Sequence, residues 1–304
     1  MMRKELARYV ELKRSLGFQF RCQRILLKGF VAFAAKRGDR YVKTARVLEW
    51  AALAPSPAQR RSRLLTVRRF ALAMHAENAR HQIPPSDAFG NNGFRRRTPY
   101  IYSAKEIARL IEAASELEPA ATLRSVMYAT LFGLLASTGI RISEALALQV
   151  DDITVDGLLI RETKFQKSRL LPLHATTQRV LDKYLAVRNQ HGVVGSTLFL
   201  LVTGKPLPYR TVHKVFQRLL KRTGLKGANA GRDPRIHDLR HTFAIRSLER
   251  CQHDAGEVAK HIVALSTYLG HVYVTGTYWY LQATPALMGQ IAKANEALLL
   301  GGTA

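Results

Sequence analysis

Three short stretches of this chain gather residue types that could act on a phosphodiester. Thr138-Gly139-Ile140-Arg141-Ile142-Ser143-Glu144-Ala145-Leu146 puts an arginine in the first turn of a predicted helix, with a carboxylate one turn on. His237-Asp238-Leu239-Arg240-His241-Thr242-Phe243-Ala244 puts a histidine and a second arginine at i,i+3, on one helix face. Leu269-Gly270-His271 follows, with Tyr280 nine residues beyond His271. Guanidiniums are always protonated and fork-shaped, so a pair of them can clamp the non-bridging oxygens of a phosphate that gains charge on attack. A phenol of pKa ~10 is a weak nucleophile at neutral pH unless cations and a base assist it, and histidine can be that base. Singly, each stretch has a plainer reading. A helix-opening arginine is commonly a surface residue, and Leu-Gly is a common helix ending in which Gly takes the left-handed position.

Other elements must position these residues. The first ~80 residues read as helices: Leu6, Tyr9, Val10, Leu12, Leu16 and Phe18, then Ile25, Leu26, Phe30, Val31 and Phe33, recur at helical spacing. Thr44 reads as an N-cap for a helix holding Val47, Leu48 and Ala51, and Ser56-Pro57 as the start of a helix over 58–78. That last helix carries Arg60, Arg61, Arg63, Arg68 and Arg69 with almost no acidic partner in reach, which favours a phosphate-facing surface. Pro84-Pro85, Gly90-Asn91-Asn92-Gly93 and Arg95-Arg96-Arg97 read as an exposed basic linker. The expected division is therefore a helical domain over 1–90, a linker over 91–102 and a second domain over 103–304. Within the second, Ser103 with Glu106 forms a capping-box pattern, and a long apolar helix spans about 122–137. Asp156-Gly157 marks a hairpin, and a third strand is expected over 169–173. The remainder reads as helices over 212–222, 238–250 and 258–269 and a tail helix near 285–300.

Charge agrees with a polyanionic partner. Among 304 residues, 47 Lys+Arg stand against 22 Asp+Glu, a net charge of +25. Residues 1–100 hold 22 Lys+Arg against 6 Asp+Glu, so 22 − 6 = +16 of that excess lies there. A hydrophobic content of 47% excludes a disordered basic tail, and no uncharged apolar stretch reaches the ~18 residues of a membrane span. The two cysteines, Cys22 and Cys251, exclude a four-cysteine zinc site and leave a buried apolar role as the expectation for each. The opening residues show no signal-peptide pattern, so a cytoplasmic, nucleoid-associated protein is expected.

In this order the stretches resemble the tyrosine recombinase, or phage integrase, family, whose pattern is Arg, Lys, His-x-x-Arg, His or Trp, then Tyr. Residues 138–148 match T-G-x-R-x-S-E-x-x-x-L, and 237–244 match H-x-L-R-H-T-F-A. Lys164, 23 residues after Arg141, fills the hairpin lysine position ahead of Lys167, Arg169 and Pro172-Leu173. His271 and Tyr280 fill the closing L-G-H…Y.

The resemblance implies a mainly α fold with a small antiparallel β-sheet, arranged as a two-domain DNA clamp: a helical core-binding domain and a catalytic domain. It implies Tyr280 as nucleophile, selected by its spacing from His271 over the nearby Tyr273 and Tyr278, Arg141 and Arg240 as the phosphate clamp, and His271 as a further donor. His237 would be the proton acceptor and Lys164 the general acid, with Lys167 and Arg169 as rivals for that last role. Glu144 would orient the arginines, and His241 would pack or cap. The partner implied is double-stranded DNA carrying specific recombination sites, bound by a dimer on each site and a tetramer in synapsis, with partner recombinases possible. No cofactor, metal or membrane is needed. The apolar tail face of Met288, Ile291, Ala292, Leu298 and Leu299 would dock on a neighbouring protomer. The segment T-Y-W-Y-L-Q over 277–282 looks like recombinases carried by mobile elements. Two rivals stand beside this reading: a type IB topoisomerase, and an accessory DNA-binding subunit that does not cut alone.

Overall fold

A computed structural model describes residues 2–90, 98–119, 122–161, 168–192, 194–227, 233–250 and 255–270, with the side chains of 255–259 excepted. The chain separates into two compact units, Met1–Arg97 and Thr98–Ala304. Each has a hydrophobic core of its own.

The first unit is built from α1 (Met2–Ser15), α2 (Arg21–Ala35), α3 (Thr44–Ala52) and α4 (Pro57–Glu77). Leu27, Phe30, Val47, Leu64, Val67 and Phe70 are fully buried between them. Pro57 opens α4 at a position where its missing N–H costs nothing, and the Ser56 hydroxyl accepts from the Gln59 N–H at 3.3 Å. Thr44 is the first residue of α3 and not its cap. Its N–H donates to Gln82 Oε1 at 2.8 Å, and Lys43 holds the extended cap position. The apolar period of the first 33 residues breaks between α1 and α2, where Gly17 and Phe20 both take positive φ. Leu12, Leu16, Phe18 and Ile25 are exposed. Cys22 is also exposed, contrary to the expected burial, because it sits on the outer side of the first turn of α2. Cys251 lies outside the described residues.

The second unit holds α5 (Ala104–Ser115), α6 (Leu123–Thr138), α7 (Ile142–Ala147), β1 (Ile153–Thr154), β2 (Gly157–Ile160), β3 (Arg169–Leu171), α8 (Ala175–Gln190), α9 (Tyr209–Arg222), α10 (Ile236–Glu249) and α11 (Ala255–Leu269). Helix α6 is mostly apolar, with buried Leu123, Met127, Tyr128, Leu131, Phe132, Leu134 and Leu135, and packs against α5, α8 and α10. Ser103 and Glu106 close the capping box that starts α5, each accepting from the other's backbone N–H. Tyr102, within the stretch read as linker, is buried in this unit's core, and its N–H donates to Thr242 Oγ1 at 3.0 Å.

The sheet is antiparallel throughout in the order β1-β2-β3. Thr154 pairs with Gly157, so the turn is Val155-Asp156, one residue earlier than the Asp-Gly motif suggests. Gly157 serves a different need: a Cβ there would lie 2.1 Å from the Leu171 carbonyl oxygen of the neighbouring strand. The fold is thus mainly α with one small antiparallel sheet. No helix among the described residues is long and apolar enough to cross a membrane. The β2–β3 tip with Lys164 and Lys167, the linker arginines Arg95, Arg96 and Arg97, and the tail with His271, Tyr273, Tyr278, Trp279, Tyr280 and the expected tail helix lie outside the described residues.

Candidate active site

The T-G-x-R spacing is a device for turning the chain between two helices. Gly139 ends α6 in the left-handed conformation, with φ +62 and its N–H on the Leu135 carbonyl at 3.0 Å. Ile140 is buried and anchors the link. Arg141 then takes the extended N-cap position of α7, where Glu144 accepts its backbone N–H at 3.0 Å and its guanidinium Nη1 at 2.7 Å. Helix α10 opens the same way. Arg235 is the N-cap, and buried Asp238 accepts its backbone N–H at 2.8 Å and its Nη2 at 2.9 Å. An acid three residues into a helix satisfies an orphan donor and favours the positive end of the dipole, so both helix starts are held rigidly. That rigidity is passed to His237 and Arg240, within the first five residues of α10.

Arg240 is 2% exposed as a residue, and burial of its charge demands hydrogen-bond partners. Its Nη1 donates to the Gly139 carbonyl at 2.8 Å and its Nη2 to the Leu269 carbonyl at 2.7 Å. Arg141 donates from Nη2 to the next carbonyl, Gly270, at 3.1 Å. Two arginines 99 positions apart in the chain therefore meet at the C-terminal end of α11, where the unpaired helix carbonyls carry partial negative charge. Arg141 keeps 30% of its side chain exposed and Arg240 almost none. Arg141 is the more open of the pair to an incoming anion.

Glu144 sits beneath them, with only 8% of its side chain exposed. Burial pushes its carboxyl up, but hydrogen bonds and charge from Arg169 and Arg141 outweigh that and hold it below the usual carboxylate range. His237 packs edge-on against His241, with ring centroids 4.6 Å apart. Crowding by protein atoms, then the charge of Arg240, pulls its pKa down to about 4, with Asp238 opposing and Arg235 and Arg141 adding to the fall. One side of His237 stays open to solvent, which softens the effect of crowding. The repulsion from three guanidiniums acts in the same direction, so the imidazole is neutral at pH 7 and able to accept a proton.

A group of this composition matches a known pattern: residues 101–286 fit the model of the phage integrase family. The chain belongs to the phage integrase family. Among curated relatives, the integrase/recombinase by name y4rB of Sinorhizobium fredii is 39% identical over 97% of this chain and 96% of its own length. The y4rE protein of the same organism, named likewise, is 32% identical over 99% of this chain and 97% of its own. Among solved structures, the XerH site-specific recombinase, bound to palindromic difH substrate in a post-cleavage complex, superposes with a TM-score of 0.67. It is 20% identical, and the match covers 90% of this chain and 78% of that one. The phage integrase family is that of the tyrosine recombinases, and this chain is a site-specific recombinase by class.

The structure of this tyrosine recombinase thus brings together Arg141, Glu144, His237 and Arg240 in one unit, and leaves Lys164, His271 and Tyr280 outside the described residues. The five arginines of α4 lie in the other unit. Three of them brace their own fold. Arg60 Nε donates to the Ala54 carbonyl at 2.9 Å, Arg63 Nη1 to the Trp50 carbonyl at 3.2 Å, and Arg61 Nη1 to the Ser86 and Gly90 carbonyls at 3.3 and 3.0 Å. Arg69 is exposed and Arg68 half-buried.

Sequence reading passed over a second basic surface. Helix α9 contains no acidic residue and exposes Arg210, Lys214, Arg218 and Lys221 opposite buried Val212, Val215, Phe216, Leu219 and Leu220. The signal that would have found it is the cation spacing of four, four and three, which keeps all four charges on one helical stripe.

Proposed function

We propose that this tyrosine recombinase cuts and rejoins double-stranded DNA at specific sites through a covalent 3′-phosphotyrosine, and that its work is the integration or excision of a mobile element. Tyr280 Oη attacks the scissile phosphorus as the bond from phosphorus to the 5′ oxygen breaks. The phenolic proton passes to His237. Lys164 supplies a proton to the departing 5′ oxygen. Arg141 and Arg240, with His271, bind the non-bridging oxygens, and their stabilisation grows as charge develops on the phosphorane-like state. Attack by a partner strand's 5′-hydroxyl on the phosphotyrosine reverses these steps and completes the exchange, so bond energy is kept and no external energy source is needed. A metal is not needed to neutralise the phosphate while two fixed guanidiniums do so.

The observation that carries this reading is the meeting of Arg141 and Arg240 on the adjacent carbonyls of Gly270 and Leu269, directly before His271 in the chain. Exposed Arg69 of α4 and the exposed cations of α9 support a DNA partner bound mainly through phosphates, and the same reading has two protomers on a site and four in synapsis. The mobile-element role takes support from the names of the relatives with near full-length similarity.

The test uses nicked duplexes tiled across the DNA that flanks the gene, mixed with wild type and with Tyr280→Phe. The expected result is a protein–DNA adduct that survives denaturation in wild type and is absent in the variant. An adduct that persists in Tyr280→Phe would overturn the choice of nucleophile in favour of Tyr278. Tight binding with no adduct from either protein would favour the accessory-subunit reading. Relaxation of supercoiled DNA without recombinant product would favour a topoisomerase.

A further inference from the structure

One arginine at the site has no part in the strand-transfer steps above, yet its whole guanidinium fork is engaged. Arg169, the first residue of β3, keeps 12% of its side chain exposed. Its fork meets both oxygens of Glu144, Nη1 to Oε1 at 3.3 Å and Nη2 to Oε2 at 2.8 Å, while Nε donates to the Tyr268 carbonyl at 2.9 Å. Three consecutive carbonyls that end α11 therefore each accept from a different arginine: Tyr268 from Arg169, Leu269 from Arg240 and Gly270 from Arg141. Glu144 receives four donors, two from Arg141 and two from Arg169.

Gly270 carries an independent sign of this arrangement. It has φ +67, and a Cβ there would lie 2.6 Å from Arg169 Nη1, so the helix end and the guanidinium are fitted to each other.

We propose that Arg169 is a positioning residue for strand cleavage. It holds Glu144 ionised and pins the last turn of α11, and through these two contacts it aims Arg141 at the scissile phosphate. All three nitrogens of its guanidinium already donate, Nε to the Tyr268 carbonyl and both Nη to Glu144, which separates it from the general acid. Removing it strips the buried Glu144 of two of its four donors. A carboxylate so deprived either protonates or turns away, and Arg141 loses the partner that fixes its guanidinium and its backbone N–H. This inference rests on the cleavage chemistry under Proposed function.

The experiment compares single-turnover adduct formation by full-length wild type, Arg169→Lys and Arg169→Met on a nicked duplex that wild type cleaves. Duplex affinity is followed by anisotropy and folding by thermal melting. Lysine keeps the charge but not the fork, so the cleavage rate is expected to fall about tenfold in Arg169→Lys and about 100-fold in Arg169→Met, the range of a lost orienting partner. Duplex Kd is expected to stay within about twofold, since the residue meets no phosphate. The Arg169→Met rate is also expected to fall further toward acid pH than the wild-type rate, because burial raises the Glu144 carboxyl once the hydrogen bonds and charge of Arg169 are gone.

A duplex with sulfur in place of the bridging 5′ oxygen separates positioning from acid catalysis, since a thiolate leaves without needing a proton. Rescue of either variant on that duplex would overturn the proposal and make Arg169 the acid. Wild-type cleavage rates, or a raised Kd with an unchanged rate at saturation, would overturn it as well. If Arg169→Met unfolds, the same comparison in a Glu144→Gln background decides. There the effect of losing Arg169 is expected to shrink to a fewfold, and an undiminished effect would overturn the coupling. Absence of any wild-type adduct would instead strike the cleavage reading itself.

Discussion

Crowding by protein atoms, and then the positive charge of Arg240 with Arg235 and Arg141 adding to it, sets the protonation of His237 before any DNA arrives. Crowding and these charges hold the folded-state pKa at about 4, against an ordinary histidine value near ~6.5 in the unfolded chain. Between those values the unfolded chain binds more protons than the folded one. The stability at stake is therefore fully present above about 6.5 and is lost as pH falls toward about 4. Wild type should accordingly lose more melting temperature between pH 7 and pH 5 than His237→Gln does. Equal losses would mean that the imidazole protonates freely and that the neutral base assigned here is wrong. Glu144 and Asp238 show why these residue types were legible. Arg-x-x-acid occurs at both helix starts, and the spacing itself says that the acid can reach the arginine's backbone N–H.

Helix ends, more than helix bodies, build this site. Gly139 closes α6 and also offers the carbonyl that Arg240 binds, and a Cβ at Gly139 would lie 2.5 Å from Phe243 Cδ1. Gly224, after α9, has nearly the same φ, +68, but nothing within 4 Å of an added Cβ. The pair separates backbone strain from steric conflict. Gly224→Ala should cost about 1–2 kcal/mol, the price of a left-handed alanine. Gly139→Ala should cost about 2–5 kcal/mol, because overpacking against Phe243 adds to that strain, and it should slow cleavage by moving Arg240. Denaturant midpoints at constant m-value measure the first difference. Equal costs would show that Phe243 gives way freely. The element boundaries read from sequence missed by one to a few residues, as at Thr44 and the Val155-Asp156 turn, because caps and turns are settled by which backbone donors tertiary neighbours satisfy.

At the scale of the whole molecule, a charge of +25 makes binding to DNA a counterion problem. Each phosphate contact should contribute about 0.9 to the slope of log affinity against log salt. Lys214→Ala with Arg218→Ala, on the exposed face of α9, should flatten that slope by roughly two units and leave the melting temperature nearly unchanged. Anisotropy titrations between 50 and 200 mM salt, about the range where the effect is steep, give the slopes directly. Arg60→Ala is the contrast, since its guanidinium braces the Ala54 carbonyl: it should lower stability and change the slope less. A slope unmoved by the α9 changes would remove that helix from the DNA surface.

The division of information follows from range. Residue type and short spacing already pointed to the proposed chemistry: two arginines suited to a phosphate that gains charge, a histidine one turn from the second of them, and a glycine that ends the helix before Arg141 in a left-handed turn. Hydrophobic period determined that the chain is mainly helical with a small hairpin sheet, since burial of one face recurs every few residues. Spacing along one chain carries no information about which distant carbonyl a guanidinium will find. Only the tertiary structure decided that Arg141, Arg169 and Arg240 divide three successive carbonyls at the C-terminal end of α11 among them, and that Glu144 answers to Arg169 as much as to Arg141. Only the tertiary structure showed that arginines such as Arg60 and Arg63, cationic in composition, are spent on their own backbone. A guanidinium's charge is written in the sequence, while its partners are set by what the fold brings within three ångströms.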